Sequence, residues 1–198
     1  MRLVTLACAA YLAAAVPALA QGQSIGVKGG VSIATQATTG EGGGPSLDSR
    51  IGAVAGGFWT LPLGSWLDLQ AEGLYVMKGA RLTFSGIEST FALDYLEVPV
   101  LARVRAGSGH RRYYAAGGPA FGFRLRARTR TAFSGSTEEI DVADQVEPID
   151  IGIAAGGGME FGRLIIDGRY SYGLSDIDKD ASSKTRNRAI AVTAGYRF

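Results

Sequence analysis

Cysteine is almost missing from this chain. The single one, Cys8, lies in an apolar leader, so nothing from Gln21 onward can rest on a disulfide. Histidine is as scarce, with His110 alone, and this leaves one imidazole as a candidate base. After Ala20 there is no helix-length apolar run, so a membrane-spanning structure in that part has to be a β-barrel. Charge of one sign is lacking too. The 20 Lys and Arg stand against 18 Asp and Glu, which argues against a dedicated nucleic-acid surface. Glycine is what the chain has in excess, 29 of 198 residues, a composition that depresses helix and suits close strands and turns.

The first 20 residues have the anatomy of a secretory signal. Arg2 supplies the positive end, Leu3 to Val16 the apolar run, and Ala18-Leu19-Ala20 a small-x-small cleavage site. The expected organisation is therefore a signal peptide over 1–20 and one domain over 21–198. Cys8 lies too close to the start, with no complete apolar region before it, to be a lipoprotein cysteine.

Eight segments alternate with a period of two, the mark of strands with two unlike faces. They run about Ser24–Ala34, Arg50–Thr60, Trp66–Gly79, Ala92–Arg105, Arg111–Arg130, Ile149–Phe161, Leu164–Leu174 and Arg188–Phe198. The third is the clearest: Leu67, Leu69, Ala71, Tyr75 and Met77 share one face, Asp68, Gln70, Glu72 and Lys78 the other. The second is apolar on both parities, and its faces cannot be assigned. Pro99 lies on the charged parity of the fourth, which signals a bulge or a missing ladder bond. Gaps after segments two, four and six are short; those after one, three, five and seven are longer and more polar. Short turns on one rim and long loops on the other predict an all-β fold, an eight-stranded antiparallel up-and-down transmembrane β-barrel with four long loops facing outward.

The last segment ends on Tyr196-Arg197-Phe198 and resembles the closing strand of bacterial outer-membrane barrels. Four further runs support the likeness: Gly26-Val27-Lys28-Gly29-Gly30, Glu72 with Tyr75 and Lys78-Gly79, Tyr95-Leu96-Glu97-Val98-Pro99, and Gly117-Gly118-Pro119. Together they resemble the small porin-family outer-membrane β-barrel domain of Gram-negative bacteria, over the whole chain after Ala20. The resemblance implies an outer-membrane location, contact with membrane lipid and lipopolysaccharide, and reading of Tyr196 and Phe198 by the barrel assembly machinery. It implies no activity. A monomer is expected, with no cofactor, metal or nucleic acid.

Alternation does not say which face looks inward. A secreted soluble barrel would bury the apolar set, and a membrane barrel inverts it. The export signal, the terminal aromatic, and Tyr75, Phe123, Tyr172 and Tyr196 near strand ends favour inversion. The lumen then holds Lys28, Asp68, Glu72, Glu97, Arg103, Arg105, Arg112, Asp150, Glu160, Asp167, Arg169 and Arg197. Unpaired ions in so narrow a space cost several kcal/mol each, by the usual penalty for buried charge, so a cross-lumen ion-pair network is expected.

Three features invite a site. His110 falls in a short turn on the presumed periplasmic rim, the wrong end for an outer-membrane lipid hydrolase. Asp176, Asp178 and Asp180 alternate like the start of a calcium loop, but the later Gly and Glu are missing, so a solvated loop is the reading. Arg124, Arg126, Arg128 and Arg130 run beyond the membrane band. A two-residue turn at Ser134-Gly135 would set Arg130 opposite Glu139 and Arg128 opposite Asp141, in a hairpin that projects outward and shifts register before Pro148. The competing role for these arginines is to hold lipopolysaccharide phosphates. No catalytic constellation is visible. The expected role is a loop-presenting scaffold with a plugged or very narrow lumen, against a low-conductance channel, or a surface adhesin or ligand-binding protein acting through its extracellular loops.

Overall fold

The computed structural model describes residues 22–39, 48–84, 87–133, 136–175 and 184–198. The leader, the Ser134-Gly135 turn and the Asp176, Asp178, Asp180 run lie outside the described residues. Nine strands form: β1 (Ser24–Thr39), β2 (Asp48–Pro62), β3 (Leu67–Phe84), β4 (Ile87–Ala106), β5 (Arg111–Phe133), β6 (Ser136–Asp141), β7 (Ile149–Phe161), β8 (Leu164–Gly173) and β9 (Lys184–Arg197). All but β6 close an antiparallel eight-stranded ring. Within the ring, strands consecutive in sequence pair, with β5 pairing β7 past β6, and β1 pairs β9 from Gly26↔Arg197 to Thr39↔Lys184. Closure satisfies the backbone polar groups that a sheet edge would expose to lipid.

The faces are inverted relative to a soluble protein. On β1, Ile25, Val27, Val31 and Ile33 are exposed, while Lys28 and Ser32 between them are buried. The same holds around the wall, with Ile149, Ile151 and Ile153 outside and Asp150 inside. β2, ambiguous in sequence, places Ile51 outward at 73% exposure and turns Val54, Phe58 and Thr60 into the lumen. An apolar exterior around a charged interior suits lipid outside and no other solvent.

Narrow closure bends the sheet sharply. A Cβ on Gly118 would lie 2.1 Å from the Val100 carbonyl oxygen, and one on Gly156 would lie 2.2 Å from that of Gly168. Only glycine admits so close an approach of neighbouring backbone.

The structure departs from expectation in two places. Of the four stretches read as long loops, the one after β3 continues as a paired strand to Phe84↔Ile87, while the pairing after β5, to Phe133↔Ser136, is the hairpin expected. Period-two alternation persists through Arg81-Leu82-Thr83-Phe84, and strands need not stop at the membrane. At Pro99 there is no bulge. The other alternative, a missing ladder bond, is what forms: the β4–β5 register is unchanged from Val98↔Phe121 to Ala102↔Gly117, but its ladder lapses between Pro99↔Ala120 and Ala102↔Gly117, and the β3 ladder lapses between Ala71↔Val100 and Leu74↔Glu97. The bulge is on β5 instead. Asp94 pairs Arg126 and Tyr95 pairs Arg124, which leaves Leu125 without a partner on β4. One extra residue reverses parity. Arg124 therefore shares the lumen parity, whereas Arg126, Arg128 and Arg130 face outward and Ala127 is buried.

Beyond the bulge, β5 exchanges β7 for β6. The register is the one expected, Arg130↔Glu139 and Arg128↔Asp141. Glu139 accepts from both arginines, at 2.8 Å from Arg130 and 2.5 Å from Arg128. The return to β7 runs through a 3₁₀ turn (Ala143–Gln145), and here the register shifts to Phe123↔Ile149. Three arginines facing outward would be costly in hydrocarbon, so this arm stands clear of the membrane core.

Glu139→Lys is expected to loosen the arm, and limited proteolysis of the protein in detergent should cut between Arg130 and Asp141 faster than in the parent. The hydrogen bonds from Arg130 and then Arg128 hold the Glu139 carboxyl below its usual range. Their contribution is therefore complete above the ordinary carboxylate value and fades as pH falls through the lowered one. Equal cleavage of parent and variant at neutral pH would refute the pairing.

Candidate functional site

The lumen is the part of the molecule where the chemistry gathers, and its polar residues fall into three tiers. Each tier draws on several strands because inward positions recur every second residue and neighbouring strands are in register.

Glu72 on β3 is the hub of the middle tier. Arg169 on β8 grips it with two nitrogens, Nη1 to Oε2 at 2.5 Å and Nη2 to Oε1 at 2.9 Å. Lys28 on β1 donates to the same Oε1 at 3.1 Å and to Asp167 Oδ2 at 2.6 Å. Asp167 also accepts from the Tyr114 hydroxyl at 3.0 Å and from Thr193 at 2.9 Å. Two cations thus meet two carboxylates, and nearly every lone pair has a donor. Buried ions are tolerated on that condition.

Gln70 links this tier to the one on the periplasmic side. It donates to Glu72 and accepts from Arg103 at 2.8 Å and Thr60 at 3.1 Å. Arg103 lies over the Tyr114 ring, 3.9 Å from its centroid, and donates to Glu160 at 2.6 Å. Glu160 is shared with Arg112 at 3.0 Å and Arg197 at 3.4 Å, and Asp68 pairs Arg105 at 2.9 Å. The outer tier is Lys78 between Glu97 at 2.7 Å and Asp150 at 3.9 Å, with Asn187 donating to Asp150 at 2.8 Å. Above it, Leu93, Tyr95, Ala127 and Val142 form a buried apolar cap against Phe91 and Val146. The segment after β6 makes this cap by folding against the inward face of β4 and β5.

All twelve charged residues placed inside from sequence lie in this network, and Lys78 completes its outer tier. Sequence reasoning missed the neutral connectors Gln70, Asn187, Thr193 and Tyr114. Their inward parity was readable, but which charges they bridge depends on the register between strands. His110 lies exposed in the β4–β5 turn, where its carbonyl accepts from Gly162. Among the described residues there is no group of three or more His, Cys, Asp or Glu placed to hold a metal.

Little room is left between the tiers. A cavity of about 20 Å³ lies beside Lys28, Lys78 and Arg169, and one of about 10 Å³ beside Lys78 and Asp150. Each is close to the space of a single water.

An inverted, closed eight-stranded wall around paired ions defines a transmembrane β-barrel of the outer-membrane kind. A family model described as "Outer membrane protein beta-barrel domain" matches residues 19–179, and the chain belongs to that family. Among solved structures, it resembles Neisserial surface protein A, with 14% identity over 90% of this chain and 100% of that one, TM-score 0.51. The attachment invasion locus protein of Yersinia pestis, solved with the heparin analogue sucrose octasulfate, is 15% identical over 89% of this chain and 99% of that one, TM-score 0.46. Outer membrane protein W of E. coli is 15% identical over 90% and 100%, TM-score 0.40. No curated protein matches the chain. Likeness at these identities concerns the fold alone.

Glu72→Ala leaves Lys28 and Arg169 with one carboxylate, Asp167, between them. The loss is expected to be about 3–5 kcal/mol, the usual cost of breaking a buried pair. Urea unfolding of the barrel in detergent measures it, and a loss below about 1 kcal/mol, the scale of a surface pair, would mean that water has entered the lumen.

Proposed function

We propose that the protein is a membrane-embedded scaffold with a closed lumen, which carries the β3–β4 and β5–β6 hairpins out of the membrane. The observation that supports this best is the continuity of the lumen contents. The apolar cap, the outer tier and the middle tier follow one another with single-water gaps. A conducting path needs its charges to line water, and here they are spent on one another. Single-channel recording of the purified protein in a planar bilayer tests it. Insertion without current is the expected result. Steady, reproducible steps would replace the scaffold by a low-conductance channel.

The surroundings follow from the same reading. Residues 1–20 serve as the export signal, with cleavage after Ala20. The outward row Arg126, Arg128 and Arg130 stands where lipopolysaccharide phosphates lie, and Glu139 takes up part of its charge. The barrel acts as a monomer, since the eight strands of its ring are already paired on both sides. Tyr196 and Phe198, exposed on the outer wall with rings 5.7 Å apart, form the signal for the assembly machinery. Deleting Phe198 is expected to lower the folded, membrane-inserted fraction in cells while the protein still refolds in detergent. An unchanged inserted fraction would remove that role.

A further inference from the structure

The periplasmic mouth differs from the rest of the lumen. A cavity of about 220 Å³ opens there, lined by Asp68, Arg103, Arg105, Arg112 and Arg197 between Gly22 and Phe198. The charge around it is unmatched. The middle tier sets Lys28 and Arg169 against Glu72 and Asp167. The mouth sets four guanidinium groups against two side-chain carboxylates, Asp68 and Glu160. Two of the most buried charged residues here each have an atom without a hydrogen-bond partner. Arg103, 2% exposed, has no acceptor for its Nε–H, and Asp68, also 2% exposed, has no donor for Oδ1.

A guest that satisfies both accepts from guanidinium and carries a proton to give to a carboxylate, and the surplus of guanidinium groups selects an anion among such guests. We infer that this vestibule binds a protonated oxyanion, a phosphate group, with the arginines as donors and Asp68 as acceptor. Phosphate at neutral pH keeps at least one O–H, whereas sulfate keeps none and would meet Asp68 as like charge against like. Arg112, 30% exposed in its side chain, stands at the entrance, and Arg103 and Arg105 lie deeper. The site does not depend on whether the lumen above it conducts.

Calorimetric titration of the mature protein, residues 21–198, in detergent micelles, at constant ionic strength, tests the assignment with inorganic phosphate, sulfate and glycerol 3-phosphate. The expected result is saturable binding of one phosphate, with sulfate weaker by about tenfold or more, the scale of one charge-assisted hydrogen bond. Arg112→Gln should weaken phosphate by about tenfold on the same scale. Asp68→Asn offers an amide donor in place of the acceptor and should erase the preference over sulfate. Binding of glycerol 3-phosphate as tightly as phosphate at a pH where its monoester keeps a proton, about 6, assigns the site to phosphate monoesters, and its exclusion assigns the site to the free ion. Absence of saturable heat, or equal affinity of the parent for phosphate and sulfate, would overturn the inference. Heat-modifiable electrophoretic mobility confirms that each variant is folded, and Arg112→Gln leaves Glu160 its bonds to Arg103 and Arg197.

Discussion

The carboxylate of Glu72 is the point on which this structure depends. It receives Arg169, Lys28 and Gln70 at once, in a space with no bulk water to replace any of them. Strands β1, β3 and β8, distant in sequence, are tied across the lumen through that one group. Apolar contacts inside are few and local, as in the cluster of Val54, Leu74 and Val76. A soluble protein gains stability by removing apolar surface from water. Here the apolar surface faces lipid, so the interior has to be held by polar groups that satisfy one another.

The match is closest at the centre and relaxes toward both ends. The outer tier has one cation between two carboxylates, and the periplasmic mouth has a surplus of guanidinium groups. The imbalance is largest at the mouth, where Arg105, Arg112 and Arg197 retain partial access to water. Desolvation explains the ordering: the deeper an ion lies, the less surplus charge its surroundings tolerate.

Much of this was legible in the sequence because a barrel strand writes both of its environments in alternate letters. Parity separated Asp68, Glu72 and Asp167 from the apolar sets such as Ile25 and Val31, and the export signal with the terminal aromatic said which set faces inward. Parity failed where the letters agree or where the count changes. β2 carries apolar residues on both parities, and only its register with β1 and β3 turns Val54 and Phe58 inward. The extra residue at Leu125 changes the count within β5, and nothing about a leucine between two arginines announces a bulge. Which acid meets which base was out of reach too, because Lys28 and Glu72 become neighbours only through the curvature and stagger of the closed sheet.

The seam between β1 and β9 has a kinetic consequence. The ring is completed by Gly26↔Arg197, and the Phe198 amide donates to the Ile25 carbonyl at 2.9 Å, so the first strand finds its second neighbour only when the last has arrived. Until then both edges are open, and the residues destined for lipid have no lipid to meet. Pairing over so long a stretch of chain is slow and exposes sticky intermediates. A chain built this way needs to be shielded from itself in transit, and its time of greatest hazard is before the circle closes.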